Sequence, residues 1–103
     1  MTVSMRPKAG GAVVSVRGEL DIDSATHLRT ALMRAMEACE DGGGLTLDLS
    51  GVTFCDSTGL NALLRARRRA LSEHRSLTIT ATSPQVTRLL EMTGAAQLFA
   101  VKS

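Results

Sequence analysis

Asp56-Ser57-Thr58-Gly59 gathers one carboxylate, two hydroxyls and a glycine immediately after an apolar strand-like stretch. Leu45, Leu47 and Leu49 alternate with Thr46 and Asp48, the period of a strand with one buried face. Beyond Gly59, Leu60, Leu63 and Leu64 fall at helical spacing. Ser57 therefore stands where a tight connection, Ser50 to Cys55, hands a strand over to a helix. A helix start carries unpaired N–H groups and partial positive charge. A phosphoryl group on Ser57 would be stabilised there and would change the local charge by roughly −2. Asp, Ser and Thr are also the preferred helix-capping residues. On the residues alone, a plain cap is the simpler role.

Spacing removes two catalytic alternatives. A nucleophile elbow, G-x-S-x-G, needs glycine where Cys55 stands. An aspartic-protease motif needs glycine where Thr58 stands, and a second carboxylate motif that the chain lacks. The glycine run Asp41-Gly42-Gly43-Gly44 is followed by Leu45-Thr46, without the Lys-Ser or Lys-Thr of a phosphate-binding loop. His27 and His74 have no companions at metal-ligand spacing. Asp21-Ile22-Asp23 begins like a calcium loop, but the required glycine is Thr26. Neither a metal nor a cofactor is expected.

The elements that must position Ser57 can be read from patterning. Val3 to Arg6 and Ala12 to Val16 form two short strands around Pro7-Lys8-Ala9-Gly10-Gly11, an N-terminal hairpin. Gly18 to Asp23 is a loop carrying Glu19, Asp21 and Asp23, and Asp23 or Ser24 can cap the next helix. That helix presents Ala25, Leu28, Ala31, Leu32, Ala35 and Cys39 on one stripe and ends at Asp41 to Gly44. A strand at 45–49, a helix from about Thr58 to Ser72 and a strand over 77–81 follow. Ser83 then caps a helix with Pro84 in its first position, stopped by Gly94, and Ala96 to Val101 supplies a last edge segment.

This alternation predicts an α/β fold: one domain over residues 1–103, a mixed but mainly parallel sheet, and three to four crossover helices. The loops leaving the carboxyl ends of parallel strands gather at one end of such a sheet. The acidic loop and the Asp56-Ser57 turn would then be neighbours.

At 103 residues, 44% of them hydrophobic, one core is feasible without disulfide or metal support. No apolar run approaches a membrane span, and Met1 to Arg6 lacks the apolar centre of a signal peptide, so the expected location is the cytoplasm. Cys39 and Cys55 are expected as free, partly buried thiols. A net charge of +2 and only two aromatic residues, Phe54 and Phe99, argue against direct nucleic-acid binding. The basic cluster Arg65, Arg67, Arg68 and Arg69 falls in the last half of its helix, where cations complement the dipole; a solvated helix end is the first reading and a partner surface the second.

Gly18-Glu19-Leu20-Asp21, the strand at 45–49, Asp56-Ser57-Thr58-Gly59-Leu60 and Thr93-Gly94-Ala95-Ala96-Gln97-Leu98-Phe99 resemble the STAS domain, and more narrowly the bacterial anti-sigma factor antagonists. The resemblance spans nearly the whole chain and is most specific at the Asp-Ser-x-Gly-Leu block. It implies that Ser57 is the phosphoacceptor of a partner that is both anti-sigma factor and serine kinase. The unphosphorylated protein would bind that partner and release a sigma factor, and a phosphatase acting on phospho-Ser57 would reset the switch. Asp21, Asp23, Asp56, Thr58 and Gly59 would surround the phosphosite; Thr58 stands where many members carry serine. The chain would then be a phosphorylation-controlled binding module and not an enzyme. The alternatives are a STAS scaffold subunit of a signalling or lipid-transport assembly, in which Ser57 is only a cap, and a small thiol enzyme using Cys55.

Overall fold

The computed structural model describes residues 1–39 and 42–101. Two strands open the chain, β1 (Thr2–Lys8) and β2 (Gly11–Leu20), followed by α1 (Ala25–Ala38), β3 (Gly44–Cys55) and α2 (Ser57–Ser72). β4 (Leu77–Thr82), α3 (Pro84–Thr93), a 3-10 turn at Ala95–Gln97 and a short β5 (Ala100–Val101) complete it. The sheet runs β1-β2-β3-β4-β5; only the β1–β2 pair is antiparallel. The expected α/β architecture is present, with three α-helices among the described residues.

The hairpin closes over Ala9 and Gly10, with Lys8 opposite Gly11 and Gly10 at φ +75°. Positive φ at the second of two central turn residues is the type II pattern, which calls for glycine there. Pro7 falls inside β1 rather than in the turn; β1 is an edge strand, where a missing N–H is tolerated. The turn expected to begin at Asp41 has that residue outside the described ones, and β3 starts at Gly44.

Core formation follows the alternation. Ala12, Val14 and Val16 of β2, Leu45, Leu47 and Leu49 of β3, and Leu77 and Ile79 of β4 are buried. They meet Leu28, Leu32, Ala35 and Met36 of α1 and Leu60, Leu63, Ala66 and Ala70 of α2 in one cluster. Cys39 falls just past α1 as its C-cap and is only partly buried; Met36 takes the buried position instead.

Two expectations are corrected. Gly18 to Leu20 is strand, not loop, and the connection expected over Ser50 to Cys55 is the second half of β3. The cause is bulging. Ser15 pairs with Asp48 but Arg17 with Gly51, and Gly18 pairs with Val52 but Glu19 with Phe54. Each shift inserts an extra residue into β3. Its buried positions then run Leu49, Val52, Cys55, a spacing of three that hides a strand from a period-two search. β3 continues past Leu49, its last partner in β4, and ends opposite Leu20, which places Asp56 and Ser57 beside the end of β2.

Candidate functional site

β2 and β3 end side by side, Leu20 opposite Cys55. The Asp56 N–H donates to the Leu20 carbonyl at 3.1 Å, fixing the point where α2 begins. Asp56 is the N-cap: its extended backbone leaves the strand and its carboxylate accepts the Gly59 N–H at 3.0 Å. Ser57 is thus the first helical residue and not the cap. Its side chain is exposed and makes no hydrogen bond among the described residues, while Thr58 is half-buried.

Gly59 explains how α2 can start so close to the sheet. A β-carbon there would lie 2.5 Å from the Leu20 carbonyl oxygen and 2.8 Å from the Leu20 β-carbon. Only a residue without a side chain permits this approach.

The loop after β2 is tied to itself. The Asp21 carboxylate accepts the N–H groups of Asp23 at 3.1 Å and Ser24 at 3.2 Å. Ser24 occupies the N-cap position of α1 but makes no capping bond with its side chain. Its hydroxyl instead donates back to the Glu19 carbonyl at 2.8 Å and accepts the Asp21 N–H at 3.0 Å. The Asp21 carbonyl serves the Ser24 and Ala25 amides, so the chain folds tightly around Asp21 and leaves Asp23 exposed. Asp21, Asp23 and Asp56 therefore belong to turns that leave adjacent strand ends, with Ser57 and Thr58 following the second.

A family model described as "Mlab, STAS domain" matches residues 3–100. The chain belongs to the STAS domain family. Among curated relatives, the anti-sigma-B factor antagonist of Bacillus subtilis (strain 168) is 29% identical over 94 residues, covering 91% of this chain and 84% of that protein. An anti-sigma factor antagonist from Mycobacterium paratuberculosis superposes with a TM-score of 0.84 at 29% identity, covering 98% of this chain and 84% of that one. The Bacillus cell fate determinant SpoIIAA in its phosphorylated form shares the fold, with a TM-score of 0.72 and 15% identity over 99% of this chain and 92% of that one.

Three residues of this STAS domain that sequence reasoning passed over border the site. The Gln85 side chain, on the first turn of α3, accepts the Cys55 N–H at 2.8 Å and donates to the Cys55 carbonyl at 3.0 Å. β3 has outrun β4 here, and one carboxamide supplies both ladder bonds that a neighbouring strand would have made. Ile22, 73% exposed in the acidic loop, and Phe54, 43% exposed near the end of β3, are apolar side chains left open to solvent on these two segments. Neither lies on a periodic stripe, so no sequence signal separated them from core positions. Gln85 carries no signal either, because its partner is thirty positions away.

The two thiols are unlike each other. Cys39 is half-buried, with its S–H donating to the Ala35 carbonyl. Cys55 is fully buried; burial, and then the Asp56 charge, push its thiol up to about 11. A nucleophilic cysteine needs the opposite shift and an accessible sulfur. Among the described residues, no helix is long and apolar enough to cross a membrane.

Proposed function

We propose that this STAS domain is an anti-sigma factor antagonist whose binding to an anti-sigma factor with serine-kinase activity is controlled by phosphorylation of Ser57. The observation that carries the reading is the placement of Ser57. It is an exposed hydroxyl, without a hydrogen bond among the described residues, at the first position of a helix whose cap is supplied by its neighbour Asp56. The hydroxyl is free to react because capping does not depend on it. The relatives named as anti-sigma factor antagonists support the same reading.

In this reading the domain contributes a positioned acceptor and a docking surface, and the chemistry belongs to the partner, which brings ATP and Mg²⁺. The Ser57 oxygen would attack the γ-phosphorus and lose its proton as the bond to ADP breaks. The product is a dianion at a helix N-terminus. The amides of Ser57 and Thr58 lack helical carbonyl partners, so the phosphate is stabilised locally and the fold persists. Toward a partner the balance reverses. The phosphate joins Asp21, Asp23 and Asp56 at the neighbouring ends of β2 and β3, a rim near which Ile22 and Phe54 are exposed. Binding that must cover this rim then has to desolvate, or repel, several like charges. A phosphatase acting on phospho-Ser57 restores the binding form. The burial of Cys55 and its raised thiol pKa count against the thiol-enzyme alternative.

The test is a pull-down from host lysate with wild type and Ser57→Asp, partners being identified by mass. Incubation of the recovered partner with ATP and the isolated domain follows, with mapping of the phosphate. Loss of label in Ser57→Ala supports the proposal. Full label in Ser57→Ala, or label mainly on Thr58, refutes it. Identical partners for wild type and Ser57→Asp would favour the scaffold role.

A further inference from the structure

α1 and α2 pack side by side, and their outer surfaces leave a groove of about 220 Å³ lined by Arg29 and Met33 of α1 and Arg65, Ala66 and Arg69 of α2. Together these helices carry six arginines and one carboxylate, Glu37, although the net charge of the whole chain is only +2. The surplus positive charge is therefore concentrated on one layer of the molecule.

A solvated helix end does not account for it. Only Arg69 lies in the last turn of α2, where a cation complements the helix dipole. Arg69 is also ion-paired with Glu73, and Arg67 donates to the Leu98 carbonyl. Arg65 sits mid-helix, one turn before Arg69, so two like charges share a face at a spacing that costs helix stability. Arg29 is near the start of α1, where a cation gains nothing from the dipole. Arg29 and Arg65 are exposed and have no ion pair among the described residues. Between them the floor is apolar: Ala66 is buried and Met33 is 39% exposed.

We infer that this groove docks an acidic amphipathic segment of a protein partner. Carboxylates of the segment meet Arg29 and Arg65, and an apolar side chain covers Met33 and Ala66. Arginine suits carboxylates through its planar fork of donors, and methionine adapts its shape to an incoming side chain. A free phosphate would leave the apolar floor uncovered. A bilayer surface is flat, whereas these arginines rim a concavity. The groove is separate from the Ser57 rim, since Arg65 lies about 12 Å along α2 from Ser57.

The experiment uses the full chain and a labelled helical peptide with glutamates on one face and leucines on the other. A lysine–leucine counterpart, inorganic phosphate and phosphatidylglycerol vesicles are the comparison probes. Fluorescence anisotropy should show saturable binding of the acidic peptide only, weakening as salt is raised. Arg29→Glu/Arg65→Glu should weaken it about tenfold or more, and Met33→Ser should weaken it at constant charge. Ser57→Asp should leave it unchanged, so this result and the phosphorylation result can fail separately. Amide shift changes should centre on Arg29, Met33 and Ala66. Melting curves check each variant, and Arg29→Gln/Arg65→Gln replaces the charge reversal if that variant unfolds. Absent binding, binding undiminished by both arginine double variants, or shifts centred on Arg6, Lys8 and Arg17 of the hairpin would overturn the inference. Phosphate or vesicle binding that competes equally with the peptide would overturn it too.

Discussion

Replacing Gly59 by alanine tests how the start of α2 is held against the sheet. At an ordinary helical position this change stabilises by about 1 kcal/mol, because alanine restricts the unfolded chain and favours the helix. Gly59 is helical and does not need a positive φ, so nothing in its own conformation opposes the change. The opposition comes from Leu20. The added methyl would lie 2.5 Å from its carbonyl oxygen, 2.8 Å from its β-carbon and 2.9 Å from its carbonyl carbon. Leu20 is fully buried and its carbonyl also accepts the Asp56 N–H, so it cannot retreat without disturbing the cap. Overpacking against backbone costs about 3 kcal/mol, the upper part of the usual range, because no flexible side chain can give way. Set against the helix gain, a net loss of about 2 kcal/mol remains, a fall in Tm of roughly 10 °C for a domain of this size. Urea unfolding should show a lower midpoint at unchanged slope. Gly10→Ala is the control: Gly10 has open space around it and a φ of +75°, so its cost is conformational only, about 1 kcal/mol. A Gly59→Ala protein as stable as wild type, or more so, would refute the close approach of α2 to β2.

Further outcomes are expected at three residues. Asp56→Ala should lower stability by about 1 kcal/mol through loss of the Gly59 cap, while Asp56→Asn should retain most of it, as read by thermal melting. Gln85→Leu should strand the Cys55 N–H and carbonyl, costing about 1–3 kcal/mol and accelerating hydrogen exchange at Cys55 well before global unfolding; unchanged exchange would contradict the bridging role. The Cys55 thiol should resist alkylation at pH 8 in the native protein. With its folded pKa raised to about 11, the neutral thiol favours the folded state; that contribution is intact below the unfolded value near 9 and is lost as pH rises from there through 11. Cys55→Ala should flatten stability over that interval in pH-dependent urea titrations.

The sequence alone determined the alternation of elements, because each of its signals is local. Leucines at 45, 47 and 49 state a strand, Ser83 and Pro84 state a helix start, and both appear as read: the Ser83 hydroxyl caps α3 and Gly94 closes it in the left-handed conformation. The placement of Ser57 at a strand-to-helix junction was equally legible. Tertiary structure decided what local patterns do not encode. The two bulges that lengthen β3 exist only in its pairing with β2, and they turn an expected connection into strand. Ser24 looked like a cap, yet its hydroxyl serves the Glu19 carbonyl, a choice between two nearby partners that only the closed loop settles. Gln85 gains its purpose solely because β3 outruns β4 and leaves two backbone groups needing partners. Arg29 and Arg65 are unremarkable on separate helices; packing α1 against α2 makes them face one groove. Periodicity fixes which side of an element is buried, while register and the lengths of neighbouring strands fix which residues meet, and those depend on pairs far apart in the chain.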